Sequence, residues 1–310
     1  MRIHHQSKCR AAVATRTSLR AAQAEPRWFT AALSSPVDTG EVAVLGTTIR
    51  YRSWGRRKDP PLVLVHGGGA HARWWDHVAP WLSVDHCVTA LDLSGHGDSD
   101  KRVGYSMEAW AEEVIAVADV ARGLVPPVIV GHSFGGSVAW AAARRHGTAL
   151  AGVIAIDSLL GPASAERVAA RQLRSKVPLR VYPDRCTALA HFRLVPDQDV
   201  VLPYVVDHIA QTSLRAVTSG WSWKFDPKIY ARPATSGAVA HPGCRAVLLR
   251  ADHGLLPLDS MTVRAAKRAG IAVLDIPSAG HHVMLDRPVE LVSEIRRTLA
   301  TWAHGAEPIG

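Results

Sequence analysis

Residues 131–136 read GHSFGG, a G-x-S-x-G pentad followed by one more glycine. The apolar run VIV precedes it and the helix-like SVAWAAARRHG follows. In that context the pentad predicts a sharp turn from a buried strand into a helix, with Ser133 at its apex. The glycines suit such a turn, because side chains two residues to either side of the serine would collide. A serine hydroxyl is a weak nucleophile until a positioned imidazole takes its proton. SAGHHVMLDRP (Ser278–Pro288) offers two, His281 and His282. Attack on a carbonyl also creates an oxyanion, which preorganised N–H groups stabilise. One such group belongs to Phe134, the residue after the serine. VLVHGGG (Val63–Gly69) is a second loop whose glycines let backbone approach a substrate closely. A carboxylate is still needed to orient the imidazole, and the late stretch LLRADHGLLPLD (Leu248–Asp259) carries Asp252 and Asp259 around His253.

The elements that must position these groups follow from hydrophobic patterning. EVAVLGTTIRYRSWG (Glu41–Gly55) alternates around Gly46 and predicts an antiparallel hairpin. PPLVLVHG, CVTALDLSG, PPVIVGHS, LAGVIAIDS, CRAVLLRAD and IAVLDIPSAGH are short continuous apolar runs instead. Such runs suit strands buried on both faces of a parallel sheet. Each ends in Gly, Ser, Asp or His, at the edge where an open α/β sheet binds its ligands. Between them, Ser106–Leu124 opens with a capping serine and acidic first turns. The segment after Ser133 closes on Arg144, Arg145, His146 and Gly147, and an amphipathic helix follows Arg287. The expected fold is α/β, a mostly parallel central sheet flanked by helices. Residues 1–40 are expected to form a poorly ordered extension, 41–157 the first part of the core, 158–243 an inserted helical lid and 244–305 the second part of the core.

LVHGGGAHARWWD, LDLSGHGDSD, VGHSFGGS and AGHHVMLDRP occur in an order and at distances that resemble the α/β-hydrolase-fold superfamily, in its serine-nucleophile, esterase- and lipase-like branch. The resemblance spans roughly residues 41–305. It implies Ser133 as nucleophile, and His281, directly after the glycine, as base, with His282 its neighbour. It places the second oxyanion donor at Gly68, beside Phe134, and His66 and Gly69 near the substrate, His66 more as an organiser of its loop. Its chain order of serine, acid, histidine points to Asp252 as the acid, although the usual register before a proline such as Pro257 falls on His253. Asp157, ending the strand VIAID, is the rival acid. Asp92 and Ser99 are expected to tie a tight turn beside the site. Trp221 and Trp223 are candidates for an apolar substrate pocket, although aromatics at that spacing also pack a lid onto its core.

The chain has 310 residues, 47% of them hydrophobic, and carries a net charge of +9. Residues 1–27 hold six cations against Glu25 alone, so +5 of that excess lies in the tail. The balance therefore does not mark a nucleic-acid surface, which would need a basic stripe with interleaved aromatics. No apolar run reaches the roughly 18–20 residues of a membrane span. The four cysteines, Cys9, Cys87, Cys186 and Cys244, lack C-x-x-C spacing and are expected to be reduced, in a cytoplasmic protein. No metal or cofactor is expected, since neither His4-His5 nor His281-His282 has helical i, i+4 spacing and no nucleotide fingerprint occurs. The expected activity is hydrolysis of a carboxylic ester, lactone or thioester of a small, largely apolar substrate through an acyl-enzyme. The alternatives are a C–C bond hydrolase or cofactor-free peroxygen enzyme on the same residues, or a non-catalytic small-ligand receptor.

Overall fold

The computed structural model describes residues 25–121, 123–232 and 239–305. A short helix, α1 (Arg27–Leu33), precedes the hairpin of β1 (Asp38–Val44) and β2 (Thr47–Trp54). The hairpin turns on Leu45 and Gly46, both at positive φ, the two-residue geometry that matches the right-handed strand twist. The fully buried apolar runs become β3 (Pro61–Val65), β4 (Cys87–Leu91), β5 (Val128–His132) and β6 (Gly152–Ile156). Helices α2 (Ala79–Leu82), α3 (Met107–Ala121) and α4 (Phe134–His146) connect them. The chain then leaves the sheet through α5 (Ala165–Ser175), α6 (Arg185–Ala190), α7 (Pro203–Thr212) and a small hairpin of β7 (Leu214–Val217) and β8 (Gly220–Trp223). It returns as β9 (Arg245–His253), α8 (Met261–Arg268), β10 (Ala272–Gly280), α9 (Val283–Asp286) and α10 (Pro288–Ala303).

The eight central strands run in the order β1-β2-β4-β3-β5-β6-β9-β10. β1 and β2 pair antiparallel, as do β2 and β4, and every later pair is parallel. One core lies on each face of the sheet. Trp75, Leu82, Ile295 and Trp302 pack on one side, and Trp110, Val138, Ala142 and Val263 on the other. Helices can cover both faces because the strands are apolar at every position rather than at alternate ones. After β3 the chain moves to β4 on one side, then crosses to β5 on the other. That reversal opens a crevice beyond the carboxyl ends of β3 and β5, the place where open α/β sheets bind ligands. The loop Val65–Gly69 and Ser133 both sit there.

Three expectations change. Residues 25–40 are structured, not part of a loose extension, while residues 1–24 lie outside the described residues. Phe29 of α1 is 1% exposed and packs edge-on against Tyr204 of α7, with ring centroids 4.8 Å apart. Trp28 meets Trp81 and Tyr204 in the same way. The helix is too short to display a period, and its anchor comes from far along the chain. Of the helix expected over Ser106–Leu124, the described part is Met107–Ala121, and Leu124 is fully solvated beyond it. Cys87 and Cys244 are free thiols, but Cys186 is disulfide-bonded. No helix among the described residues is long and apolar enough to cross a membrane.

Emptying the Phe29 socket should cost about 3 kcal/mol, as for other buried phenylalanines. Urea denaturation of Phe29→Ala checks this, and a loss below about 1 kcal/mol would mean that α1 contributes no docking energy.

Candidate active site

Ser133 sits at φ 54°, ψ −118°, between β5 and the first turn of α4. This is strained backbone for a non-glycine residue. Its neighbours leave no room for relaxation. A Cβ at Gly131 would lie 2.3 Å from the Gly135 carbonyl oxygen, and one at Gly136 would lie 1.9 Å from Ser158 Oγ. The Ser133 amide is tied to the carbonyl of Ile156 at the end of β6, 2.8 Å away. The hydroxyl lies 3.0 Å from His281 Nε2.

His281 follows β10 and is 5% exposed. Its loop is held by Asp286, whose carboxylate accepts from the Gly280 amide at 2.6 Å, and by His132, whose Nε2 donates to the His281 carbonyl at 2.8 Å. His282 points away from Ser133. Its amide donates to Gln198 Oε1 at 2.8 Å and its Nε2 donates to the Pro196 carbonyl at 3.0 Å, both in the segment between α6 and α7.

The carboxylate on His281 is Asp157, not Asp252. Asp157 Oδ2 accepts from His281 Nδ1 at 2.6 Å and from the Leu255 amide at 2.7 Å. Asp157 is fully buried at the tip of β6, the strand beside β5, and it too stands at positive φ. Gly254 is required opposite, since a Cβ there would come within 2.3 Å of Asp157 Oδ2. Asp252 is exposed and accepts instead from the Ser278 amide at 2.8 Å. Strand alternation explains this use. Asp252 falls two residues after Arg250, so the two side chains share one face of the sheet, and on that face both bond β10, Arg250 forking onto Asp275 and Asp252 accepting from the Ser278 amide. There the β9–β10 register slips between Ile276 and Gly280, and Asp252 takes the amide of Ser278 within the irregularity. His253 is exposed, its ring 3.7 Å from Asp252. The loop expected to supply the acid supplies an N–H to it.

The remaining expectations divide. Gly68 faces the elbow, its added Cβ falling 3.5 Å from Phe134 Cβ. Among the described residues neither the Gly68 nor the Phe134 amide donates to a protein acceptor. His66 lines neither cavity beside Ser133. Its Nδ1 donates to the Gly67 carbonyl at 2.8 Å and its Nε2 accepts from the Leu93 amide at 3.1 Å, so it braces the loop. Asp92 joins the same two loops through the amides of Ala72 and Asp98, and Ser99 Oγ donates to its carbonyl. Gly69, at positive φ, and Trp223 line the smaller cavity. Trp221 does not; it packs with Tyr182 and Leu214 in a satellite core, under the Arg185 guanidinium.

Two cavities, of about 230 and 470 Å³, share Gly68, Ser133 and His281. Arg174 and Tyr230 line both, with the guanidinium 4.4 Å above the ring. Nothing in the sequence singled out these two residues, which reach the site only through the folding of 158–243. Among the described residues, His132, His281 and His282 form the one group of three potential metal ligands, with nitrogens within 4.8 Å of one another. An ion there would compete with Ser133 for His281 Nε2.

The model described as "Alpha/beta hydrolase family" matches residues 62–295. The chain belongs to that family. Relatives include a non-heme chloroperoxidase of Streptomyces lividans, 34% identical over 147 residues, which are 47% of this chain and 52% of that protein. A pimeloyl-[acyl-carrier protein] methyl ester esterase of Methylococcus capsulatus is 40% identical over 87 residues, 28% of this chain and 32% of that protein. The match thus spans about half of the first relative and less of the second. Among solved structures, an E-2-(acetamidomethylene)succinate hydrolase superposes with TM-score 0.71 at 19% identity, covering 86% of this chain and 100% of that one. The thioesterase domain from the curacin biosynthetic pathway gives 0.68 at 22% identity, covering 84% and 100%. At such identities the likeness is one of fold.

Exchanging the acids separates their roles. Asp157→Asn should slow phosphonylation of Ser133 by a fluorophosphonate by about 10³-fold or more, because the amide no longer stabilises the imidazolium. Asp252→Asn should stay within about tenfold of wild type, and equal losses in both variants would contradict the geometry.

The buried histidines set a second expectation. Burial holds His66 and His77 down to about 4 and His282 to about 3, so they stay neutral in the folded chain. His71, His96 and His132 are lowered for the same reason. Below their ordinary value of 6.5 the unfolded chain binds more protons, so stability falls as pH drops from about 6.5 towards 4. Asp92 and Asp286, both raised to about 6 by burial, act oppositely, and Glu113 is also raised. The six histidines outnumber these three carboxyl groups. The urea midpoint should therefore fall between pH 7 and 4.5; a rise would show that the carboxyl groups dominate.

Proposed function

We propose that this protein is a serine hydrolase that cleaves a carboxylic ester, lactone or thioester of a small substrate through an acyl-enzyme. The observation that carries the reading is the continuous Ser133–His281–Asp157 hydrogen-bond chain, at 3.0 and 2.6 Å, opening onto a cavity. Ser133 Oγ attacks the carbonyl carbon as His281 Nε2 takes its proton. The buried Asp157 carboxylate holds the Nδ1–H tautomer and stabilises the imidazolium. The amides of Gly68 and Phe134 receive the oxyanion. The tetrahedral species collapses as His281 returns the proton to the leaving alkoxide or thiolate. Water, deprotonated by the same imidazole, then attacks the acyl carbon and releases the acid and Ser133.

The relationship to a chloroperoxidase adds a second reading on the same residues. Hydrogen peroxide would replace water in the second step, and the product would be a peracid. Both readings share the acyl-enzyme.

A fluorophosphonate probe should label the wild type and not Ser133→Ala, and nitrophenyl esters of graded acyl length should lose at least about 10³-fold in turnover in that variant. Absence of labelling in the wild type would favour a non-catalytic receptor. Adding hydrogen peroxide to the ester assay should leave acid as the main product, and accumulation of peracid would favour the second reading.

A further inference from the structure

The larger cavity carries charge that the hydrolytic steps do not use. Arg167, Arg171 and Arg174, spaced along α5, line it together with Arg232, which follows the 3-10 turn Pro227–Ala231. Among the described residues none of the four pairs with a carboxylate. Arg171 Nε and Nη2 are buried with no hydrogen-bond partner. Arg232 lies 4.2 Å above the ring of Phe134, the residue after the nucleophile, and spends one Nη on the Ile229 carbonyl at 3.1 Å. Burial and repulsion from Arg171 push Arg232 down to about 10, and burial and repulsion from Arg167 lower Arg171. Arg167 and Arg174 are exposed, but Arg171 and Arg232 are partly dehydrated; guanidinium groups in that position without an anion are unfavourable, and their fork geometry matches a carboxylate or phosphate. They also depart from the largely apolar substrate expected of the sequence.

We propose that Arg171 and Arg232, supported by Arg167 and Arg174, form an anion-binding subsite that selects substrates bearing a carboxylate or phosphate group beside the scissile carbonyl. The inference rests on the hydrolase reading and deepens it by naming the substrate class. The aromatic face of Phe134 orients the Arg232 guanidinium, and the apolar walls at Met107, Leu159 and Leu160 take the chain between the anion and the carbonyl. The anion acts in binding and orientation and takes no part in proton transfer.

Matched esters test it. The nitrophenyl half-ester of glutaric acid is compared with its neutral terminal amide, and the acetyl ester of glycerol phosphate with that of glycerol. A kcat/KM at least tenfold higher for one charged member is expected; the first pair locates the anion on the acyl side, the second on the alcohol side. That ratio should fall below threefold in Arg171→Gln and in Arg232→Gln, and persist in part in Arg232→Lys. Equal turnover of charged and neutral members in both pairs would overturn the proposal without any variant, as would a ratio unchanged in both glutamine variants. If the fluorophosphonate fails to label Ser133, the hydrolase reading falls, and calorimetry still decides the subsite. Glutarate or glycerol phosphate should bind the wild type, at least tenfold more weakly bind Arg171→Gln, and outcompete glutaramide or glycerol; no binding of either anion would overturn it.

Discussion

A buried carboxylate organises this end of the molecule. Asp157 is withdrawn from water, and a charge in that position needs donors. It finds two, the imidazole of His281 and the amide of Leu255. Satisfying one oxygen therefore brings the loop after β9 and the loop after β10 to the tip of β6. Gly254 follows from the same demand, because no side chain fits against the carboxylate there. On the other side, the amide of Ser133 bonds the last carbonyl of β6, so the elbow and the acid share one strand end. The arrangement is less a set of three side chains than the convergence of three parallel strand ends on one charge.

Around that centre, polar groups brace loops at every level. Asp92 and His66 tie the loop after β3 to the loop after β4, while Glu113 accepts from the Ser94 amide and from Arg102. His282 and Gln198 fasten the inserted segment to the histidine loop, and His71 meets Ser213 at 2.9 Å. These bonds connect elements distant in sequence, so the two-lobed cavity belongs to the assembled molecule. Arg174 stacked on Tyr230 marks the border between the lobes, and both residues come from the insertion. The sheet positions Ser133, Asp157 and His281, and the insertion lines the cavity beside them.

Much of this was legible in the chain. The strands announced themselves because burial on both faces demands unbroken apolar runs, and the elbow because its crowded turn admits only glycine around Ser133. The histidine loop was legible for its position at a strand end. The acid was not, since Asp157 and Asp252 both end apolar runs and a carboxylate has no local marker for its partner. The aromatic residues were ambiguous for a similar reason: Trp221 and Trp223 are two apart on one strand, yet only Trp223 reaches the cavity. The docking of α1 was invisible because seven residues hold too little pattern, and the partner of Phe29 lies about 175 residues away in sequence.

The sequence by itself determined the local conformations of the core: where its buried strands and the helices between them form, where only glycine can stand, and which serine is forced to an apex. Those properties depend on sterics and on apolar periodicity within a few residues of the site. Tertiary structure alone decided which aspartate meets His281, that His66 braces two loops, and that arginines without a carboxylate partner among the described residues face the cavity. Each of these depends on strand order, on which face of β9 a side chain takes, and on how the insertion folds back over the sheet. Such contacts are long-range, and no short stretch of chain encodes its own partner.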